Sequence, residues 1–331
     1  MRAMIFDRYG EPAVMRLGKA PVPEPQDGEV LIRVGYAGVN PADSKLRAGL
    51  STLDVAFPFV PGMDAAGVVE RTGANVTQFR RGDRVITWGL PHGKVWGTYA
   101  EFVCGSVRNI SPVPMSLNFA QVAAVPIAAL TAFQALFHAE KGGMIPGQKV
   151  LINGASGGVG SFAVQFAKSG GLLVAATCGT ANVDYDRSLG ADHVIDYKTK
   201  DVLRAVRDWS AEGVDVALDT VGPATLPEVL DMLRPGGRLV NILTVTADGD
   251  VECDWKEAER RGFRKIVTNI NFERARESMR EITHLIDSGL VHVPPIDLVP
   301  LEDAARAHEM IETGHVRGKL VLKVAELSLS R

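Results

Sequence analysis

The amino-acid sequence predicts an α/β protein: a β-rich, barrel-type part followed by a doubly wound parallel sheet. Three observations carry this. Up to residue 120 the chain is rich in Val, Gly and Pro, with short apolar runs between turn signals and little helical periodicity. From Phe119 onward apolar strands alternate with helical patterns, as crossover connections require. At the first alternation the chain reads Lys149-Val150-Leu151-Ile152-Asn153-Gly154-Ala155-Ser156-Gly157-Gly158-Val159-Gly160, a strand, a small-residue turn and a helix start.

In chain order, Met1–Asp7 reads as a strand, followed by strands at 30–34, 67–70, 83–86 and 99–103. Residues 120–137 are alanine-rich and apolar, as a buried helix would be. Strands are then expected at 149–153, 172–178, 193–196, 214–219, 238–242 and 266–270, with helices between most of them. Six such strands imply a parallel sheet covered on both faces, with its ligand at their carboxyl ends. Two amphipathic helices follow. Glu273–Ser288 carries Met279, Ile282, Leu285 and Ile286 on one face and stops at Gly289; Leu301–Thr313 stops at Gly314. The closing run 319–324 is a strand expected to return to the β-rich part.

The turn after 149–153 is the strongest chemical signal. Glycines let the backbone approach an anion and let helix and strand pack closely. The N–H groups at a helix start point outward with partial positive charge, which suits a pyrophosphate. The turn fits G-x-G-x-x-G with Ala155 in the first glycine position, in the strand-to-helix context the motif requires. The alternative is a plain strand–helix turn, which needs fewer small residues.

Composition removes other classes. The chain has 331 residues, too many for one small core, so two domains are expected. Net charge is −3, spread along the chain, with no basic stripe for nucleic acid or a membrane surface. No apolar run spans a membrane, and the N-terminus reads as a strand rather than a signal peptide, so a cytoplasmic location is expected. Cys104, Cys178 and Cys253 are far apart, without a Cys-x-x-Cys pair, and each is expected to be a buried or half-buried small residue. His92, His138 and His193 do not cluster, and His308 and His315 are poorly spaced ligands. No zinc site of common spacing is expected.

A set of ordered segments resembles the medium-chain dehydrogenase/reductase superfamily, in its zinc-independent quinone oxidoreductase (zeta-crystallin-like) branch. They are Gly38-Val39-Asn40-Pro41-Ala42-Asp43, Pro61–Val69, Gly82-Asp83-Arg84-Val85, Gly97-Thr98-Tyr99-Ala100-Glu101 and Leu130-Thr131-Ala132. After the glycine turn come Leu189-Gly190-Ala191-Asp192, Asp219-Thr220-Val221-Gly222 and Gly236-Gly237-Arg238-Leu239-Val240. The resemblance implies a GroES-like catalytic domain over 1–122, a Rossmann dinucleotide-binding domain over 123–271, and 272–331 returning to the first. It also implies a homodimer and a small-molecule quinone or enone substrate. Zinc-dependent members carry a cysteine after the Gly-Val-Asn-like segment and Gly-His-Glu where this chain has Gly62-Met63-Asp64. Both ligands are replaced here, and the structural-zinc cysteine cluster is missing between Trp88 and Cys104.

The resemblance places the cofactor on Asn40, Thr131, Gly154, Ser156, Gly157, Gly158, Val159, Gly179, Thr180, Asn182, Tyr197, Thr220, Val221, Leu243 and Thr244. No acid follows the second strand of the nucleotide part until Asp184, which permits a 2′-phosphate. The relatives' Ser and cation are lost at Gly179 and Ala181, so NADPH is expected over NADH with modest discrimination. Tyr197 matches a phosphate-contacting tyrosine, or is a strand-end aromatic. Asn40 matches the asparagine facing the nicotinamide, where its amide would hold a substrate carbonyl, or forms an Asx turn before Pro41. Thr131 matches a ribose contact, or back-bonds within its helix.

Quinone-reducing relatives commonly place tyrosines in the loop after Gly-Val-Asn. Lys45 and Ser51 stand there instead. Lys45 is an electrostatic aid or proton donor, or else a solvated lysine. The leading reading is a zinc-free NADPH-dependent reductase of quinones or other conjugated carbonyls, with Asn40, Lys45 and Ser51 as candidate catalytic residues. The rivals are a 2-alkenal or enoyl-thioester reductase with the same cofactor, and a crystallin-like or regulatory nucleotide-binding protein without turnover.

Overall fold

The computed structural model describes the chain except residues 52, 54, 90–96, 223, 224, 227, 243–254 and 328–331 and the side chains of 255 and 256. The N-terminal part contains β1 (Arg2–Ile5), β2 (Arg16–Lys19), β3 (Glu29–Gly38), β4 (Asp64–Thr72), β5 (Arg84–Thr87), β6 (Phe102–Ser106) and β7 (Ile110–Pro112). The middle contains β8 (Lys149–Asn153), β9 (Leu173–Cys178), β10 (His193–Asp196), β11 (Val214–Asp219), β12 (Leu233–Asn241) and β13 (Arg264–Val267); β14 (Ile296–Pro300) and β15 (Lys319–Lys323) close the chain.

The middle strands form one parallel sheet in the order β10-β9-β8-β11-β12-β13. Successive side chains of a strand point to opposite faces, and both faces here are covered. Val150, Ile152 and Val174 pack toward helices Pro126–Phe137, Gly158–Ser169 and Ala275–Asp287. Leu151, Ala175 and Ala217 pack on the other face with Val202, Val206 and Leu230. That double coverage is why these strands read as continuous apolar runs.

The long β3 organises the barrel-type part. β4 lies antiparallel along one edge; along the other, Glu29–Arg33 pairs with β6 and Tyr36–Gly38 with β15. Irregularities between Leu31 and Ile32 and between Val34 and Tyr36 bend the pair, as bulges do. The terminal strand thus returns to the first part, as the sequence led us to expect.

Some boundaries differ for identifiable reasons. The apolar helix expected over 120–137 is two helices, Phe119–Ala123 and Pro126–Phe137, because Pro126 has no N–H to continue the first. The strand expected at 99–103 starts at Phe102, since the Tyr99 carbonyl is taken by the Met4 N–H and Ala100 bridges Ala3. The strand expected at 266–270 is Arg264–Val267. Residues 269 and 271 beyond it give their backbone to Lys141 and Gln134. Cys104 and Cys178 are buried and unpaired, whereas Cys253 and His92 lie outside the described residues.

Helix Gly158–Ser169 sits tight on β8. A Cβ at Gly160 would come within 2.7 Å of the Ala155 Cα and collide with the Gly154 carbonyl. Gly160→Ala is therefore expected to cost roughly 1–3 kcal/mol of stability, read by denaturant unfolding. A Cβ at Gly157 meets only the Gly154 carbonyl, at 3.4 Å, so Gly157→Ala serves as the near-neutral control.

Candidate active site

The chain leaves β8 toward β9 and β10 on one side, and β11 to β13 build out on the other. The β8/β11 boundary is therefore the topological switch point, where such sheets open a crevice at their carboxyl ends. A buried polar network holds it. Asn153 Nδ2 donates to Asp219 Oδ1 at 2.8 Å and to Thr225 Oγ1 at 2.9 Å, while Thr177 donates to Asn153 Oδ1 at 2.6 Å. Asn241 Nδ2 donates to Asp219 Oδ2 at 3.1 Å. Four strand ends are thereby locked together by side chains that sequence reasoning passed over.

The glycine turn rides on this frame. Gly154 has φ +75°, and a Cβ there would meet Thr220 Oγ1 and Val221 Cγ2 within 2.6 Å. Gly157 is the helix N-cap and has no side chain to cap with, so the first-turn N–H groups face the crevice uncapped. The buried Ser156 Oγ has no hydrogen-bond partner. Uncapped N–H groups, an unspent hydroxyl and no Cβ to block approach fit a bound pyrophosphate. The far side of the turn is closed by the residue before β15: the Gly318 N–H donates to the Ser156 carbonyl at 2.9 Å.

At the end of β9, Tyr197 and Lys198 converge on Gly179. A Cβ there would stand 3.7 Å from the Tyr197 hydroxyl and 3.9 Å from the Lys198 ammonium. Arg317 reaches the same turn from beyond the helices, donating to Asn182 Oδ1 at 2.6 Å and the Ala181 carbonyl at 2.8 Å, over the Tyr185 ring. Two cations thus stand where the sequence, read locally at Ala181, offered none. The Asn182 amide oxygen is spent on Arg317, and the Thr180 hydroxyl faces Asp196.

The acid pattern also needs correction. Asp184 pairs with Arg187 and is exposed, but Asp186, two residues on, turns inward. Both its carboxylate oxygens are buried without a partner. Burial pushes its carboxyl up to about 6, with Ser156 and Cys178 pulling the other way without closing a bond of ordinary geometry.

At the other end of the crevice, Asn40 precedes helix Pro41–Ala48. Its N–H donates to Asp43 Oδ2 at 2.8 Å, and the Asp43 N–H to the Asn40 carbonyl at 2.9 Å. The amide is occupied elsewhere: Nδ2 donates to Asp64 Oδ2 at 2.9 Å and Oδ1 accepts from Lys319 Nζ at 2.6 Å. Burial pushes Asp43 up to about 7 and Asp64 to about 6, the latter opposed by Lys319. Burial likewise pushes the Lys319 ammonium down, against the pull of Asp64 and Asp43. Tyr99 donates to Asp43 at 3.3 Å and lies 3.3 Å from His308 Nε2; burial holds that imidazole down near 3.

Thr131 is half-buried and makes no back-bond within its helix among the described residues. Thr220 is spent on the Asn153 carbonyl at 2.7 Å, and the N–H groups of Val221 and Gly222 on Asp219. The Val221 side chain remains 55% exposed at the crevice. Lys45 is half-buried, with its ammonium pushed down by burial, whereas Ser51 accepts from the Leu53 N–H in a loop turn. Leu243 and Thr244 lie outside the described residues. Asp43, Asp64, Lys319, Lys198 and Arg317 were missed as site residues. The available signal was Lys319 itself, a cation opening an otherwise apolar strand.

Among the described residues no group of three His, Cys, Asp or Glu side chains could hold a metal ion. Asp64, the position next to Met63, already has both oxygens engaged, one by Asn40 and the other by the Ile127 N–H at 3.0 Å.

This architecture, with a crevice at the switch point of a parallel sheet beside a β-rich part, is that of an α/β protein whose ligand site lies at the carboxyl ends of the strands. The alcohol dehydrogenase GroES-like domain model matches residues 26–115, and the zinc-binding dehydrogenase model matches residues 189–322. Quinone oxidoreductase of Rattus norvegicus is 33% identical over 97% of both chains. The quinone oxidoreductase structure from Coxiella burnetii is 34% identical with a TM-score of 0.86, covering 98% of this chain and 99% of that one. The Escherichia coli quinone oxidoreductase complexed with NADPH is 26% identical with a TM-score of 0.87, covering 98% of this chain and all of that one. The chain belongs to the medium-chain dehydrogenase/reductase superfamily, in its quinone oxidoreductase branch.

Asp186 yields a prediction with a definite sign. An acid whose folded pKa is raised carries no ionisation penalty below its unfolded value near 4, and the full penalty applies above about 6. Asp186→Val should therefore stabilise the chain by about 1–3 kcal/mol more at pH 7.5 than at pH 4. Urea unfolding across pH reads this; a gain independent of pH would contradict it.

Proposed function

We propose that the chain is a zinc-free, NADPH-dependent reductase of quinones or other conjugated carbonyls. The observation that carries the reading is the run of partners along the crevice: uncapped N–H groups at Gly158–Gly160, then Lys198 and Arg317 beside the 179–182 turn. Charge-assisted bonds from such cations are the strong part of phosphate recognition. When bound, NADPH supplies a hydride from its nicotinamide ring.

The chain's own residues supply position and charge. The glycine turn holds the pyrophosphate, Tyr197, Lys198 and Arg317 the 2′-phosphate, and Thr131 the nicotinamide ribose. The Asn40 amide donates to the substrate carbonyl oxygen as negative charge develops there. Lys45, on the same helix and half-buried, lends positive charge at the substrate side. Segments 1–122 and 288–331 form one wall and 123–287 the other; the boundary expected at 271 moves because helix Ala275–Asp287 packs on the parallel sheet. A homodimer is carried over from the resemblance, through edge strands of the parallel sheet, and light scattering tests it.

Steady-state kcat/KM is expected to favour NADPH over NADH; a clear NADH preference would overturn the cofactor assignment. Lys198→Ala and Arg317→Ala should each lower kcat/KM for NADPH roughly 10- to 100-fold, the loss of one charge-assisted bond, and leave the NADH value nearly unchanged. Activity should survive dialysis against EDTA, and a loss restored by zinc would refute the zinc-free reading. A panel of 1,4-quinones, enones and enoyl thioesters sorts the substrate class, and turnover of none would favour the crystallin-like rival.

A further inference from the structure

The cluster around Asn40 contains more charge than a helix cap needs. Lys319 is 5% exposed and Asp64 fully buried, and burying such groups is costly unless each is paired and hydrogen-bonded. Both are. Lys319 Nζ donates to the Val39 carbonyl at 2.8 Å and to Asn40 Oδ1 at 2.6 Å. Asp64 accepts Asn40 Nδ2 on one oxygen and the Ile127 N–H on the other. An asparagine amide is ordinarily ambiguous between its O and N ends. Here an ammonium that only donates faces one end and a carboxylate that only accepts faces the other, so one orientation is permitted.

The consequence is a polarised, fixed amide. Asn40 has spent its oxygen on a cation and one N–H on an anion, leaving one Nδ2 hydrogen without a partner among the described residues. The anchors also reach the rest of the crevice. Ile127 lies in the first turn of the helix that carries Thr131. Lys319 follows Gly318, which is bonded to the glycine turn, and a Cβ on Gly158 would come within 2.6 Å of the Lys319 Cδ. The stem of Lys319 therefore runs between the turn and Asn40.

We propose that Lys319 and Asp64 are positioning residues, which together lock the Asn40 amide as a hydrogen-bond donor toward a carbonyl oxygen of the substrate. The inference rests on the reductase reading above and deepens it. A substrate held this way must present an acceptor oxygen, and a mispointed amide would present its own oxygen and repel it. Neither positioning residue touches the substrate.

The test is a double-mutant cycle, since residues acting through one another give non-additive effects. With NADPH and the best-turned-over quinone or enone, Lys319→Met should lower kcat roughly 10- to 100-fold, as misoriented catalytic groups do, with the KM for NADPH within about threefold. In an Asn40→Ala background the same substitution should change kcat by less than about threefold. Asp64→Asn, which keeps the shape and withdraws the anionic acceptor, should behave likewise and covers the case in which Lys319→Met fails to fold.

A second readout needs no turnover. In ligand-free protein, the Asn40 side-chain amide pair, assigned by its loss in Asn40→Ala, should be resolved in the wild-type 15N TROSY spectrum. It should shift or broaden in Lys319→Met and in Asp64→Asn. Additive kinetics, or an amide pair unmoved in folded variants, would overturn the positioning role. If the wild type binds neither NADPH nor NADH by titration calorimetry, the reductase reading fails and the positioning role with it. Binding and turnover with additive variants fail the positioning role alone.

Discussion

Gly318, just before β15, and Lys319, its first residue, hold the crevice together. Gly318 bonds the glycine turn, and Lys319 bonds Asn40 and Val39. The strand then pairs with β3 in the barrel-type part. A segment near the end of the chain thereby fixes the distance between the glycine turn and the Asn40 amide. The proposed hydride transfer depends on that distance, because misplacing reacting groups by about an ångström costs orders of magnitude in rate.

The cost is electrostatic. One buried ammonium sits with two buried carboxylates, Asp43 and Asp64, and burial pushes both acids upward toward neutrality. Such a cluster is a weak contributor to stability and a strong contributor to geometry, because every member has few ways to satisfy its bonds. The Asn153–Asp219 network at the switch point works on the same principle, with neutral amides and one acid.

Much of the fold was legible because periodicity and turn chemistry are local. The apolar run at 149–153, the glycines after it and the cation opening 319–323 are visible in the sequence itself. What was not legible depends on contacts between distant residues. Local reading at Ala181 found no cation, since Lys198 and Arg317 arrive from other elements. It correctly found no acid before Asp184, but helical geometry alone decides that Asp186 points inward and Asp184 out. Asn40 was read as a turn former or a substrate contact. Its partners Asp64 and Lys319 are 24 and 279 residues away, so no spacing rule reveals them.

On the proposed function one crevice, closed by Gly318 and β15, takes a dinucleotide with its pyrophosphate on the glycine turn and its nicotinamide beside Asn40. A crystal structure of the chain with NADP+ tests this most directly. Pyrophosphate oxygens are expected on the backbone N–H groups of Gly158 and Val159, with Lys319 still bonded to the Asn40 amide and the free Nδ2 hydrogen facing the nicotinamide side. A dinucleotide bound away from that turn, or an Asn40 amide turned from Lys319, would contradict it.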